Sequence, residues 1–303
     1  MGRVLETSNP MGKRTGQRRA GWLVAILCLS LSAAFAETIQ KKFTTVSNPS
    51  FMLHNHSGKI SLKGWEQNEV EIRGERASDA VEVLIAGEEQ KVTVETHPTQ
   101  ERLSPEEERV DFQIRVPRGA TVHVDSNQGA IEVENIHGDV TIEGVSNPVA
   151  LSGLRGHITV RTVEGQIHIR ESEGYVRAQS ISGNLELLQV NGTELIASTN
   201  SGTIRYEGDF GSGGTYVLKN YNSPIDIMTS AKASFDLTAR AVEGLIENNL
   251  IFRPIPPGNP FRRLPPGKFL QGRINTGNST VQVTSYSGTI RLQGPRAESG
   301  AIR

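Results

Sequence analysis

Between residues 129 and 192 a glycine recurs every nine residues: Gly129, Gly138, Gly156, Gly165, Gly174, Gly183 and Gly192, with Asn147 standing in once. Two residues after each, up to Gly183, comes an aliphatic side chain: Ile131, Val140, Val149, Ile158, Ile167, Val176 and Leu185. Four after come Val133, Ile142, Leu151, Val160, Ile169, Ala178 and Leu187. Seven after come Ile136, Val145, Leu154, Val163, Ser172, Ile181 and Val190, where Ser172 is the one polar residue of the three columns. Alternation puts the aliphatic residues of an extended chain on one face, and their β-branching suits a pleated surface. The glycine allows a corner, and asparagine, the next residue most tolerant of left-handed backbone angles, is expected to do the same at position 147.

A chain that lays down a short strand, turns and repeats stacks equivalent positions about 4.8 Å apart, so each column becomes an inward ladder. The pattern therefore predicts an all-β fold, a parallel β-solenoid built from nine-residue units. A closed coil takes two units, or eighteen residues, with a triangular coil of twenty-seven as the alternative. The spacing of eighteen sets Glu143 over Arg161 and Arg155 under Glu173, two opposite-charge pairs that favour the shorter coil. All three aliphatic columns are expected to point inward.

Further units appear at Gly202-Thr-Ile-Arg-Tyr, Ser223-Pro-Ile-Asp-Ile, Ser279-Thr-Val-Gln-Val and Gly288-Thr-Ile-Arg-Leu, and upstream at Gly58-Lys-Ile-Ser-Leu. Longer alternating strands over 81–85, 91–95 and 110–116 assign residues 37–120 to an N-terminal β region that caps the open end of the stack. The solenoid then runs over 121–294, and 295–303 form a flexible C-terminal tail. One stretch breaks the pattern: 252–269 is rich in Pro and Gly and has no alternation, so it is read as an excursion, because prolines cannot donate to a ladder. It carries Arg253, Phe261, Arg262, Arg263, Lys268 and Phe269. These six are the candidate partner contacts if the excursion is a basic, aromatic-tipped recognition arm; the alternative is a variable surface insertion.

Composition adds where the protein goes. Lys13, Arg14, Arg18 and Arg19 precede an apolar run from Trp22 to Ala33, and Ala34-Phe35-Ala36 offers small residues to a signal peptidase. Residues 1–36 are thus expected to be a signal peptide, with Met11 as well as Met1 a possible start. The run falls short of the ~20 residues of a comfortable spanning helix, so membrane contact would come only through an uncleaved leader. Cys28, the single cysteine, lies inside it, leaving a mature chain without thiols, disulfides or thiolate metal ligands. Cleavage removes five basic residues (Arg3, Lys13, Arg14, Arg18, Arg19) and Glu6, so 32 basic and 33 acidic residues become 27 and 32, net about −5. That balance excludes nucleic acid, whose recognition rests on a basic footprint.

The segment 110–144, with Val116-Pro117-Arg118-Gly119 followed by repeat units, resembles the bacterial putative-adhesin family, as do the Ser182-Gly183, Ser201-Gly202 and Ser287-Gly288 pairs. That family runs a strand into a Val-Pro-Arg/Lys-Gly turn and then a series of Ser-Gly-x-Ile-x-Val units. The similarity spans roughly residues 37–294. It implies an exported bacterial β-solenoid with no established enzymatic chemistry; residues 252–269 depart from it.

Motifs for chemistry are sparse. Calcium-binding nonapeptide turns alternate Asp with Gly, and here only Asp139 follows a repeat glycine. His54 and His56 share a strand face as a metal pair would, without a third ligand; His157 and His168 fall in consecutive units and so on opposite faces. Outward carboxylates such as Glu132 and Glu186 stand singly. Gly211-Ser-Gly-Gly lacks the Lys-Ser/Thr of a phosphate loop. No catalytic, cofactor or metal residue is assigned. The expected function is a non-catalytic, adhesin-like exported scaffold presenting polar ladders to a protein or glycan partner in the envelope or at the cell surface. The alternative is a carbohydrate-active β-helix enzyme. The inward assignment is testable: Val160→Asp should cost more than about 4 kcal/mol by placing an unpaired charge in the interior. Thr159→Asp should be nearly silent in the same melting experiment.

Overall fold

A computed structural model describes residues 37–255 and 268–294. Residues 1–36, expected to be a signal peptide, the middle of the Pro-rich stretch with Phe261, Arg262 and Arg263, and residues 295–303, expected to be a tail, lie outside the described residues. Among those described, the chain is all-β: strands joined by short turns, with no helix.

The strands form two rows that enclose one aliphatic core. The first row runs Lys91–Pro98, Ser50–Ser57, Thr121–Gln128, Val140–Ser146 and Arg155–Glu164, all parallel. It continues through 173–180, 194–199, Thr215–Asn220, Thr280–Ser285 and Phe235–Ala241. The second row runs Val110–Pro117, Ile60–Trp65, Ile131–Glu134 and Val149–Ser152. It continues through 167–172, 185–188, Ile204–Glu207, Ile225–Met228, Thr289–Gln293 and Leu245–Asn248. One strand from each row makes a layer.

In the regular stretch the register is eighteen: Val140 pairs with Ile158 and Ile158 with Val176, while Val149 pairs with Ile167 and Ile167 with Leu185. Glu143 and Arg161 approach to 3.3 Å and Arg155 and Glu173 to 3.6 Å, the two pairs that this spacing requires. Beyond residue 190 the step lengthens, with Leu195 opposite Tyr216 and Ile204 opposite Ile225. The added chain brings larger side chains inside. Tyr206 and Phe210 stack at 4.6 Å, and Tyr216 and Phe235 meet Phe210 edge-on. Both tyrosine hydroxyls find backbone partners: that of Tyr206 donates to the Val190 carbonyl (3.2 Å), and that of Tyr216 to the Gly192 carbonyl (3.1 Å).

The first two aliphatic columns are buried throughout, but the third divides. Ile136, Leu154, Ser172 and Val190 lie inside, whereas Val145, Val163 and Ile181 are 49, 41 and 52 % exposed. The reason is that the two corners of a layer differ. At the corner leaving the first row, the inward place falls one residue earlier and belongs to Ser126, Thr162, Ser180, Thr199, Asn220 and Ser285, all buried. Four of them serve the turn three residues on. Ser180 Oγ accepts from the Gly183 N–H (2.8 Å), Thr199 Oγ1 from Gly202 (3.2 Å), Asn220 Oδ1 from Ser223 (2.8 Å) and Ser285 Oγ from Gly288 (3.0 Å). The column also links to itself, Thr162 Oγ1 donating to Ser180 Oγ at 3.1 Å.

Asn147 departs from its expected role. Its backbone is not left-handed, and its buried side chain reaches into the place that Gly144 leaves empty in this column. There its Nδ2 donates to Ser126 Oγ (3.2 Å) and the Gly129 carbonyl (2.8 Å). The glycine corners have a steric cause beyond dihedral freedom. Gly174 does sit at φ 125°, but Gly183 does not, and a Cβ there would run into the Gly165 carbonyl oxygen of the layer below.

Chain order and spatial order diverge at both ends. The layer 50–65 lies between 91–117 and 121–134, and the layer 280–293 lies between 215–228 and 235–248. Antiparallel strands finish the rows: Val81–Gly87 on the first, Glu69–Arg76 and Glu37–Thr44 on the second, Lys268–Ile274 at the far end of the first.

The buried polar column makes two serines of one turn unequal. Ser180→Ala leaves the Gly183 N–H without its acceptor inside the corner and should cost about 1–3 kcal/mol. Ser182→Ala, exposed, should fall within about 0.5 kcal/mol of the parent. Chemical denaturation of the two variants measures the contrast.

Candidate functional site

In a parallel stack the outward residues also form columns, and those of the second row carry dense charge. From layer to layer one column reads Glu132, Ala150, His168, Glu186, Arg205, Asp226, Arg291, Glu247. Signs alternate over its second half: His168 meets Glu186 at 2.7 Å, Glu186 meets Arg205 at 3.5 Å, and Arg291 is held between Asp226 (3.1 Å) and Glu247 (3.2 Å). Contact with Asp226 and Glu247 raises the affinity of the Arg291 guanidinium for its proton. Lys59 and Lys63 pair with Glu132 (2.8 Å) and Glu134 (3.3 Å) in the next layer. Exposed pairs of this kind contribute about 0–1 kcal/mol each, so their main effect is to fix the pattern of the face.

Toward the N-terminal end the same face holds Glu71. Its side chain is only 5 % exposed and faces Arg73 (3.0 Å), Arg115 (3.5 Å) and Lys42 (3.6 Å). Burial pushes the carboxyl up, but the Arg73 hydrogen bond and the charges of Lys42, Arg73 and Arg115 outweigh it and hold the group below its ordinary range. Arg115 also lies over the Trp65 ring at 5.6 Å.

Two shallow grooves mark this face. One of about 530 Å³ opens where the small Ala150 interrupts the charged column and is lined by Glu132, Glu134, Ser152, His168, Arg170 and Glu186. A second, of about 540 Å³, lies over Lys59, Arg73, Glu75, Asp111 and Gln113. Glu132 and Glu186, the single carboxylates singled out by sequence, share the column but stand three layers apart, engaged by Lys59 and Arg205 respectively.

Three of the histidines, His54, His157 and His168, take carboxylate partners across layers. His54 Nδ1 lies 3.1 Å from Asp125 and His157 Nδ1 lies 3.0 Å from Asp139. His54 and His56 do meet, edge to face at 5.4 Å. Among the described residues no three His, Cys, Asp or Glu side chains are arranged to hold a metal ion. His157 belongs to the first row and His168 to the second.

Both ends of the Pro-rich stretch are tied into the sheet rather than free. Arg253 pairs with Arg273, Lys268 lies opposite Ala241, and Phe269 opposite Arg240. The Asp236–Arg273 fork, 2.6 and 2.7 Å, clamps this end, and its hydrogen bonds hold the Asp236 carboxyl low. Of the six candidate contacts the structure brings Arg253, Lys268 and Phe269 to one edge of the first row. The charged column of the second row was not singled out from sequence. Its signal was the recurrence of opposite charges at the layer spacing.

No protein-family profile matches the chain, and no curated protein does. Two solved structures are similar. A putative adhesin from Bacteroides fragilis aligns at 11 % identity with a TM-score of 0.46, covering 86 % of this chain and 97 % of that one. A putative cell adhesion protein from Clostridium sporogenes aligns at 10 % identity with a TM-score of 0.30, covering 86 % of this chain and all of that one.

Glu71 gives the face a pH signature. A carboxyl whose folded pKa is depressed stabilises above its unfolded value, 4.5, and that stabilisation is lost as the pH falls through the lowered folded value. Glu71→Gln should therefore lower the melting temperature at neutral pH, with the gap to the parent closing in acid. A gap that stays constant with pH would assign Glu71 a packing role alone.

Proposed function

We propose that the chain is a non-catalytic, adhesin-like β-solenoid of nine-residue units, two to a layer, exported to the bacterial envelope or cell surface. Residues 37–120 form its N-terminal cap and 121–294 its main stack. The second-row face is the surface that meets a protein or glycan partner. What supports this reading is the charged column itself: a regular, rigid array of carboxylates, imidazoles and guanidinia, fixed by the backbone register and bordered by shallow grooves. Such a face selects a partner by matching a spaced pattern of charge, which favours specificity and encounter rate. The basic and aromatic residues at the Pro-rich segment, Arg253, Phe261, Arg262, Arg263, Lys268 and Phe269, are proposed as a second contact.

A carbohydrate-active enzyme is the competing reading, because Glu132 and Glu134 stand two residues apart on one face beside the Ala150 groove. Binding to immobilised bacterial envelope fractions, run alongside a reducing-sugar release assay, separates the two. The scaffold reading expects binding without release, weakened at high salt and reduced about tenfold or more by Arg205→Glu with Arg291→Glu, a loss of ~1.4 kcal/mol or more. Sugar release that disappears in Glu132→Gln or Glu134→Gln overturns it.

A further inference from the structure

The corner that leaves the first row carries the exposed aliphatic residues that the repeat was expected to bury, and they form a line. Val145, Val163, Ile181, Asn200, Tyr221 and Tyr286 follow one another on successive layers. Backbone hydrogen bonds set their order: Ile181 N–H to Val163 (3.2 Å), Asn200 to Ile181 (3.1 Å), Asn222 to Asn200 (3.2 Å) and Ser287 to Tyr221 (2.8 Å). Eight large apolar side chains stand exposed among the described residues, and five of them are on this line. The two tyrosine rings stack in parallel, 4.8 Å apart and 3° from coplanar. A groove of about 400 Å³ runs beside them, lined by Ser198, Asn200, Lys219 and Thr284.

From these features we infer that the line binds an extended, uncharged glycan of β-linked pyranoses laid along the stack axis. This extends the reading of the protein as a non-catalytic exported scaffold, and rests on it for the encounter with a glycan.

Three observations select this occupant. The line is six layers long, about 24 Å at the ~4.8 Å strand spacing, yet one side chain wide. That is a few hundred Å² at most, against the roughly 800 Å² per partner that a stable protein interface buries, so a second copy of the chain or a globular partner has too little to hold. A peptide strand finds little edge to add to, because the corner carbonyls of Val163, Ile181, Asn200 and Tyr221 already accept from the next layer.

The third observation is the flank. Ser146, Ser182, Ser201, Asn222 and Ser287 precede the corner glycine or its substitute in five of the six layers and Glu164 in the other; at the tyrosine end Lys219 lines the groove and Glu243 accepts from the Tyr286 hydroxyl at 2.9 Å. Small hydroxyls and amides beside an apolar floor suit a ribbon that has C–H faces and edge hydroxyls. A pyranose ring also spans about the distance between neighbouring layers, and a β-linked chain runs straight enough to keep that step.

The test is calorimetric titration with the β-1,4-linked hexamers of N-acetylglucosamine and of glucose. The parent should bind at least one of them with little dependence on salt. Tyr221→Ala and Ile181→Asp, both exposed and checked for an unchanged melting curve, should each weaken binding by about tenfold or more. Arg205→Glu with Arg291→Glu, on the other row, should leave it unchanged. Absence of binding to both hexamers, or binding indifferent to the corner variants, overturns the assignment, as does a dimer in sedimentation that Ile181→Asp dissociates. If hexamer binding fails while envelope fractions are still held through the charged face, the corner assignment falls and the scaffold reading stands. Release of shorter sugars from a bound hexamer supports the corner as a binding line and overturns the scaffold reading.

Discussion

The hydrogen bonds between parallel strands of successive layers govern the whole molecule. They hold neighbouring layers at about 4.8 Å and in fixed register, so any residue faces its counterparts above and below, whatever they are. A side chain is therefore acceptable only if it tolerates a column of its own kind or of its complement. Val, Ile and Leu do so by packing. Ser, Thr and Asn do so by passing hydrogen bonds along the column and to the turn, as Thr162, Ser180 and Thr199 do. Charges do so by alternating in sign, as Glu186, Arg205, Asp226 and Arg291 do. The glycine corners follow from the same spacing: where turns of adjacent layers come closest, no Cβ fits, as at Gly183.

This constraint explains what could be read from sequence. The aliphatic columns carry two superposed periods, two within a strand and nine between glycines, and nothing but stacked strands satisfies both. The division of the third column could not be read, because Val145 and Leu154 are chemically alike and differ only in which corner of the layer they occupy. The clue lay one residue earlier. A Ser or Thr three places before the corner glycine marks the turn whose inside is polar, and an aliphatic residue next to it faces out, as Val163 and Ile181 do, whereas Asn135 before Gly138 leaves Ile136 inside. Buried hydroxyls were passed over because serine and threonine are mostly surface residues. The backbone tolerance of asparagine points to a left-handed corner at Asn147, whereas its side chain instead fills the gap left by Gly144.

The ends of the stack were legible least of all. Pattern matching assumes that layers follow in chain order, yet 50–65 and 280–293 are each placed between two segments that are not both their sequence neighbours. The energetic logic is that of an open edge. A parallel row exposes unpaired backbone groups at each end and would template further strands. Closing strands in the antiparallel sense, by Glu37–Thr44 with its Lys41 and Lys42 and by Lys268–Ile274 behind the Asp236–Arg273 fork, interrupts that template. Interleaving the chain at both ends ties each terminal layer to one laid down much earlier or later, so neither end peels away as a single strand.

A structure built this way separates shape from recognition. Inside, every column is committed to packing and to the turns, and substitution there is paid in stability. Outside, a side chain can change with little effect on the fold provided its column stays compatible, which frees the charged face and the apolar corner to vary independently. The two surfaces also differ in the physics they offer. On the proposed reading, alternating charges on the second row would give long-range, salt-sensitive recognition. The corner line, with few charges and an apolar floor, would give contact that is short-ranged and less sensitive to salt. A partner extended along the stack axis would meet one outward side chain of a column at each layer, so its affinity would grow with the number of layers engaged rather than with the depth of any one pocket.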